Sequence, residues 1–236
     1  MDLFHFKQFS IEQAGSAMKI GTDGVLLGAW APCNQARFLL DIGTGSGLIA
    51  LMAAQRSRAT IDALELEEEA CRQAEKNFLQ SPWADRLNLL QGDFNAFALS
   101  APENQYDVIL SNPPFFSNSL KNKEYKKSMA RHDDSLTLEA LLKNTVRLIH
   151  PGGIFCMIYP YEQLEGLILL ASQHHWYPSL ITQVLTGQNH TPKRALLCLE
   201  RTKKTCQTEY LSLHGNGTRG LSTEYIELTR PFYRFL

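Results

Sequence analysis

Three glycines spaced two apart, Gly43, Gly45 and Gly47, limit most strongly what this chain can fold into. They follow an apolar run, Phe38 to Ile42, that is too short for a buried helix, and an apolar, alanine-rich helical pattern starts directly after them at Leu48. That order reads as strand, tight turn, helix. Glycine reaches positive φ without strain and carries no Cβ, so the turn is built for close approach by a ligand. A dinucleotide site would place its third glycine at position 48, which is Leu48 here. Asp41, at the end of the strand, would repel a pyrophosphate but suits an ammonium or sulfonium group.

The segment from Asp41 to Gly47 resembles motif I of the S-adenosylmethionine-dependent methyltransferases, a hydrophobic stretch followed by Asp/Glu-x-Gly-x-Gly-x-Gly. The resemblance implies that Asp41, Gly43, Gly45 and Gly47 hold that cofactor. Further residues fit around it. Glu65 ends a second strand, Ala59 to Glu65, about 20 residues after the glycines, where a carboxylate accepts both ribose hydroxyls. Asp93 follows a third strand, Arg86 to Gln91, and is read as accepting from the cofactor's adenine amine, the alternative being a cap for the helix opening at Asn95. Thr22 and Asp23 are read either as the N-cap of a helix over Val25 to Trp30 or as a turn closing on the methionine end of the cofactor.

A fourth strand, Tyr106 to Leu110, runs into Ser111-Asn112-Pro113-Pro114-Phe115. Two prolines stop ladder pairing and fix two φ angles, so the chain leaves the sheet in one rigid shape at the edge where open α/β sheets bind ligands. An exocyclic adenine amine is a poor nucleophile because its lone pair is delocalised into the ring. Acceptors at the Asn112 side chain and the Pro113 carbonyl would draw the nitrogen toward a tetrahedral shape, with the lone pair facing a methyl donor. Phe115 would stack on the base, a contact worth about 1 to 3 kcal/mol.

Asn-Pro-Pro-Phe at this place resembles motif IV of amino methyltransferases that act on adenine, guanine or glutamine amides. With Lys19 to Gly24 ahead of the glycines and Ala130-Arg131-His132-Asp133 downstream, the chain resembles the bacterial valine-tRNA adenine N6-methyltransferase family from Phe6 to Phe232. The resemblance implies methylation of the adenine beside the anticodon, with Asn112, Pro113, Pro114 and Phe115 catalytic and Asn112 also touching the cofactor. Phe115 stands where the motif often has Tyr, which keeps stacking and removes a hydroxyl. The same turn would serve a guanine N2, a DNA adenine or a protein glutamine. A nicotinamide dehydrogenase is disfavoured by Leu48 and Asp41, and a silent RNA-binding module by the intact Asn112 turn.

Charge is unevenly spread. The net charge is -1, yet Thr60 to Asp107 holds ten acidic against three basic residues, whereas Lys121 to Arg131 holds five basic residues and one acid. Lys121, Lys123, Lys126, Lys127 and Arg131, with Lys193 and Arg194 further on, are therefore expected to contact RNA phosphates. A chain of 236 residues suits one α/β domain. The expected fold is a Rossmann-like class I methyltransferase: a seven-stranded, mostly parallel sheet with an antiparallel last strand and helices on both faces. It divides into an N-terminal cap segment (1–30), a core (36–202) and a C-terminal extension (203–236). The last strands are expected at Tyr177 to Thr186 and Ala195 to Arg201, and Leu211 to Phe235 as a final turn and strand or short helix. Five cysteines without metal-ligand spacing, no secretory leader and no long apolar window lead to the expectation of a cytoplasmic monomer without metal or membrane contact.

Overall fold

A computed structural model describes residues 3–13, 20–113, 136–186 and 191–236. The expected site residues Pro114, Phe115, Lys121, Lys123, Lys126, Lys127 and Arg131 lie outside these.

The apolar run ahead of the glycines is strand β3 (Phe38–Ile42), in the interior of an eight-stranded sheet. On one side lie β4 (Thr60–Glu65) and then β5 (Leu87–Gln91); on the other lies β6 (Tyr106–Ser111). Beyond β6 come β7 (Ile149–Pro160), β9 (Thr191–Glu200), β8 (Tyr177–Thr186) and β10 (Gln207–Ser212). All neighbours pair in parallel except β9, which runs against both β7 and β8. The expected class and its reversed strand are both present.

The interior strands are apolar along their length because both faces are covered. Leu39, Val108, Leu110, Cys156 and Ile158 pack with α1 (Thr22–Trp30), α2 (Leu48–Arg56) and α3 (Glu68–Leu79). Their neighbours Leu40, Ile109, Phe155 and Met157 face α4 (Phe94–Ser100), α5 (Leu138–Leu148) and α6 (Leu164–Gln173). The chain steps from β3 outward to β5 and then returns to place β6 on the other side of β3. That reversal opens a crevice at the carboxyl ends of β3 and β6, the usual ligand position in such sheets.

Two expectations need correction. The sheet has eight strands instead of seven, since Gln207–Ser212 pairs with β8 as an edge strand. Only Leu211 of that strand is buried, so it carries no alternating apolar pattern from which to read it. Helix α1 starts at Thr22 with Gly21 as N-cap and no side-chain cap, so neither Thr22 nor Asp23 caps it; the Asp23 carboxylate is turned to Arg194 instead. Strand β7 begins at Ile149, ahead of the Pro-Gly-Gly stretch, with a register shift that sets Tyr106 opposite Ile149 and Val108 opposite Ile154.

A hairpin of β1 (Leu3–His5) and β2 (Ser10–Glu12) covers α3, and the segment after α7 (Thr223–Thr229) closes against that hairpin. The Lys7 amide donates to the Phe232 carbonyl at 2.7 Å, Arg234 Nε donates to the Phe6 carbonyl at 2.8 Å, and the Phe6 and Tyr233 rings stack at 5.7 Å. All five cysteines are free thiols. Among the described residues no helix is long and apolar enough to cross a membrane.

Candidate active site

The glycine turn leaves β3 with positive φ at all three glycines, 73° at Gly43, 56° at Gly45 and 87° at Gly47. Their reasons differ. A Cβ on Gly43 or Gly45 would meet no protein atom within 4 Å, whereas one on Gly47 would lie 2.4 Å from the Phe78 ring. Gly43 and Gly45 thus border open space above the turn, and Gly47 is where α3 presses on it. The amides of Gly43 and Thr44 donate to the Leu64 carbonyl at 2.9 and 3.0 Å, which ties the turn to the end of β4.

Glu65 supports the same turn. Its Oε2 accepts from the Gly45 amide at 2.8 Å, and Oε1 accepts from the amides of Leu66 and Glu67 at 2.8 and 3.0 Å. Each carboxylate oxygen has two lone pairs, so acceptor capacity remains for a ligand hydroxyl.

Asp41 is fully buried beneath the turn. Its Oδ2 accepts from Thr44 Oγ1 at 2.6 Å, while Oδ1 has no hydrogen-bond partner. Burial pushes its pKa up to about 7; the Thr44 hydrogen bond and the Ala50 amide act in the other direction, and the charge of Glu65 adds to the rise. A buried, unpartnered carboxylate oxygen is costly unless something positive or hydrogen-donating comes to it.

One strand away, the Ser111 hydroxyl donates to the Ile42 carbonyl at 3.1 Å and pins the end of β6 to the end of β3. Asn112 follows immediately. Its Oδ1 is buried and has no partner among the described residues, so an amide acceptor is held ready beside the glycine turn. Pro113 is buried next to it. Open space over two glycines, an orphaned carboxylate oxygen and an orphaned amide oxygen at adjoining strand ends fit S-adenosylmethionine and a base carrying an amine.

The other expected residues divide. Asp93 Oδ1 accepts from the Ala96 amide at 2.9 Å and so caps α4, the alternative role weighed for it. Arg194 Nε donates to Asp23 Oδ2 at 2.8 Å, a half-buried ion pair between β9 and α1. Two residues expected to meet different ligands therefore meet each other. Lys193 is exposed beside them, and Thr22 opens α1. Sequence reasoning missed Thr44 and Asn77. The hydroxyl three residues after Asp41 could have been recognised as its partner; Asn77 lies mid-helix, and nothing local marks it. Asn77 is 1% exposed, receives the Glu12 amide on Oδ1 at 2.9 Å, and donates from Nδ2 to the carbonyls of Glu12 and Ser46 at 3.2 and 2.9 Å.

Residues 16–160 match the family model of the methyltransferase small domain. A tRNA1(Val) (adenine(37)-N6)-methyltransferase from Bacteroides fragilis is 42% identical over 230 residues, covering 98% of this chain and 97% of that protein. One from Flavobacterium psychrophilum is 43% identical over 233 residues, covering 98% and 99%. Among solved structures, a predicted O-methyltransferase from Agrobacterium tumefaciens superposes with a TM-score of 0.70 at 16% identity, over 89% of this chain and 96% of that one, which speaks for the fold alone.

Proposed function

The chain belongs to the methyltransferase small-domain family and, within it, to the tRNA1(Val) (adenine(37)-N6)-methyltransferases, and from that premise we propose how its own residues carry out the reaction. The reaction is methylation of the exocyclic N6 of adenine 37 in a valine tRNA, for which S-adenosylmethionine supplies an electrophilic methyl group on a sulfonium sulfur. The observation that carries this reading is the buried, unpartnered Oδ1 of Asn112 at the end of β6. That oxygen and the Pro113 carbonyl accept the two amine hydrogens, free the nitrogen lone pair from the ring and aim it across the crevice. An amide is no base, so the surplus proton passes to water after transfer. Pro114 keeps the turn rigid, and Phe115 supplies the stacking face for the base.

On the cofactor side, Gly43, Gly45 and Gly47 let the ligand lie against the main chain, and the Asp41 carboxylate stabilises its positive charge from below. Glu65 receives the ribose hydroxyls. Asp93 accepts from the adenine amine on Oδ2 while Oδ1 stays in the helix cap, and Thr22 closes the methionine end at the start of α1, which the Asp23–Arg194 ion pair braces. Lys121, Lys123, Lys126, Lys127, Arg131 and Lys193 hold RNA phosphates around the reacting base. The protein acts as a monomer.

The test is transfer of labelled methyl to valine tRNA lacking its own modification, with identification of the labelled nucleoside. The expected label is N6-methyladenosine at position 37. Asn112→Ala lowers kcat by about 100-fold or more with cofactor affinity retained. An Asn112→Ala enzyme of wild-type rate would overturn the assignment of the turn.

A further inference from the structure

A second cleft lies on the opposite edge of the sheet, and we propose that it binds the ribose–phosphate backbone of the RNA substrate at a distance from the reacting adenine. The proposal rests on the reading above that the substrate is RNA. The parallel sheet makes the cleft: Arg37 directly precedes β3, Arg58 comes just before β4, and Arg86 directly precedes β5, so three arginines start neighbouring strands on one edge. With Arg56 at the end of α2 they line an open cleft of about 570 Å³, together with Gln55 and Trp83.

Among the described residues no carboxylate lines this cleft. Two acids lie close by without lining it. Asp107 Oδ2 accepts from the amides of Arg37 and Phe38 at 2.8 and 3.1 Å, and Asp85, whose charge acts on Arg86, makes no ion pair with it among the described residues. Arg56 donates to the Gly28 carbonyl at 2.9 Å and Arg86 to the Ala59 carbonyl at 2.8 Å, so two guanidinium planes are held in place with donors to spare. Among the described residues, the side chains of Arg37 and Arg58 have neither a hydrogen bond nor an ion pair. In a chain of net charge -1, four guanidinium groups around one acid-free cleft concentrate positive potential there.

Gln55 distinguishes the ligand further. Its Nε2 donates to the Pro231 carbonyl at 2.8 Å, but its Oε1 is buried without a partner. An ionised phosphodiester has no hydrogen to give an acceptor; a hydroxyl has. Phosphate oxygens for the arginines and a donor hydroxyl for Gln55 occur side by side in an RNA backbone, where the ribose 2′-OH donates. The five residues of β3, about 17 Å of strand, separate the arginine edge from the glycine turn. A folded tRNA whose adenine sits at Asn112 spans that distance, whereas the single nucleotide on either side of the base does not.

The experiment compares the wild type with an Arg37→Ala/Arg58→Ala variant. Their thermal unfolding and S-adenosylmethionine affinity are measured first, and both should match because neither side chain braces the fold. Affinity for unmodified valine tRNA is then measured across salt concentrations, and methyl transfer is recorded in the same samples. The variant should bind tRNA about tenfold more weakly at low salt, with a log–log salt slope shallower by about one for each arginine removed. A trinucleotide centred on the adenine should bind both proteins equally. Unchanged tRNA affinity and slope, with methylation present, would overturn the cleft alone. Absent methylation with the affinity difference intact would overturn the proposed function and leave the cleft. Inorganic phosphate that raises the unfolding temperature of the wild type but not of the variant, without any difference in RNA affinity, would assign the cleft to a small anion instead.

Discussion

Asn77 Nδ2 donates to the Ser46 carbonyl at 2.9 Å, and through this one amide α3 grips the glycine turn while its other bonds hold the N-terminal hairpin at Glu12. Removing the side chain strands three backbone groups in a site that is 1% exposed. Asn77→Ala is expected to cost about 2–3 kcal/mol in chemical denaturation. Asn77→Asp keeps an acceptor for the Glu12 amide but loses the donor to both the Glu12 and Ser46 carbonyls, so it lowers stability and also raises KM for S-adenosylmethionine. An Asp variant with wild-type KM would reduce Asn77 to a packing residue.

The glycines are expected to respond unequally to alanine. Gly45→Ala pays only for a left-handed backbone, about 1–2 kcal/mol, because a Cβ there meets no protein atom. Gly47→Ala adds a collision with Phe78, about 1–3 kcal/mol more. Stability should therefore rank Gly45→Ala above Gly47→Ala, while cofactor affinity suffers in Gly45→Ala even where the fold survives. Phe78→Leu combined with Gly47→Ala should recover part of the lost stability; strict additivity would speak against the collision.

Asp41 gives a pH dependence of definite sign. Its carboxyl has a pKa near 3.8 in the unfolded chain and about 7 in the fold. Between those values the unfolded chain has released a proton that the native state keeps, so this contribution to stability is full below about pH 4, declines as pH rises and is lost above about pH 7. Its size is at most about 4 kcal/mol. Asp41→Asn still offers Thr44 an acceptor, so the stability of the variant relative to the wild type should climb from pH 4 to 7 and then level off. A cationic ligand favours the carboxylate, so S-adenosylmethionine affinity should rise over the same range in the wild type and stay flat in Asp41→Asn. Isothermal titration at pH 5, 6, 7 and 8 measures the affinity, and chemical denaturation at the same pH values the stability.

Lys193 and Arg194 should separate in RNA binding although they are adjacent. The Arg194 guanidinium is engaged by Asp23, whereas Lys193 faces solvent. Lys193→Ala is expected to reduce the salt slope of tRNA binding by about one. Arg194→Gln should leave that slope nearly unchanged and cost no more than about 1 kcal/mol of stability, the range for a half-exposed ion pair. A double-mutant cycle with Asp23→Asn measures the pair directly.

The parts that were legible in the sequence are those whose signal is local. Gly43, Gly45 and Gly47 announce themselves because a strand, a φ reversal and a helix must follow within a dozen residues. Asn112 was legible because a Pro-Pro turn at a strand end has few other uses. What stayed hidden depends on partners far along the chain. Arg194 reads as an RNA contact until Asp23, 171 residues away, is seen to occupy it. Asn77 reads as one more polar helix residue until Glu12 arrives from 65 residues upstream. Asp93 could be read either way because a cap and a ligand contact need the same side chain at the same strand end. Strand β10 had no pattern to read, since an edge strand with one buried side chain owes its place to backbone pairing with β8.

The clasp between Phe6 and Arg234 joins residues 228 apart in the chain. During synthesis the hairpin emerges long before the segment that secures it, so β1 and β2 wait for nearly the whole chain before their outer side is covered. The hairpin is also what Asn77 holds against the glycine turn. The brace of the cofactor turn is therefore assembled from two segments made at different times, and a chain truncated before residue 230 keeps every strand of the sheet yet has a loosely supported cofactor turn. The fit of the cofactor turn is in this sense a readout of whether the clasp has closed.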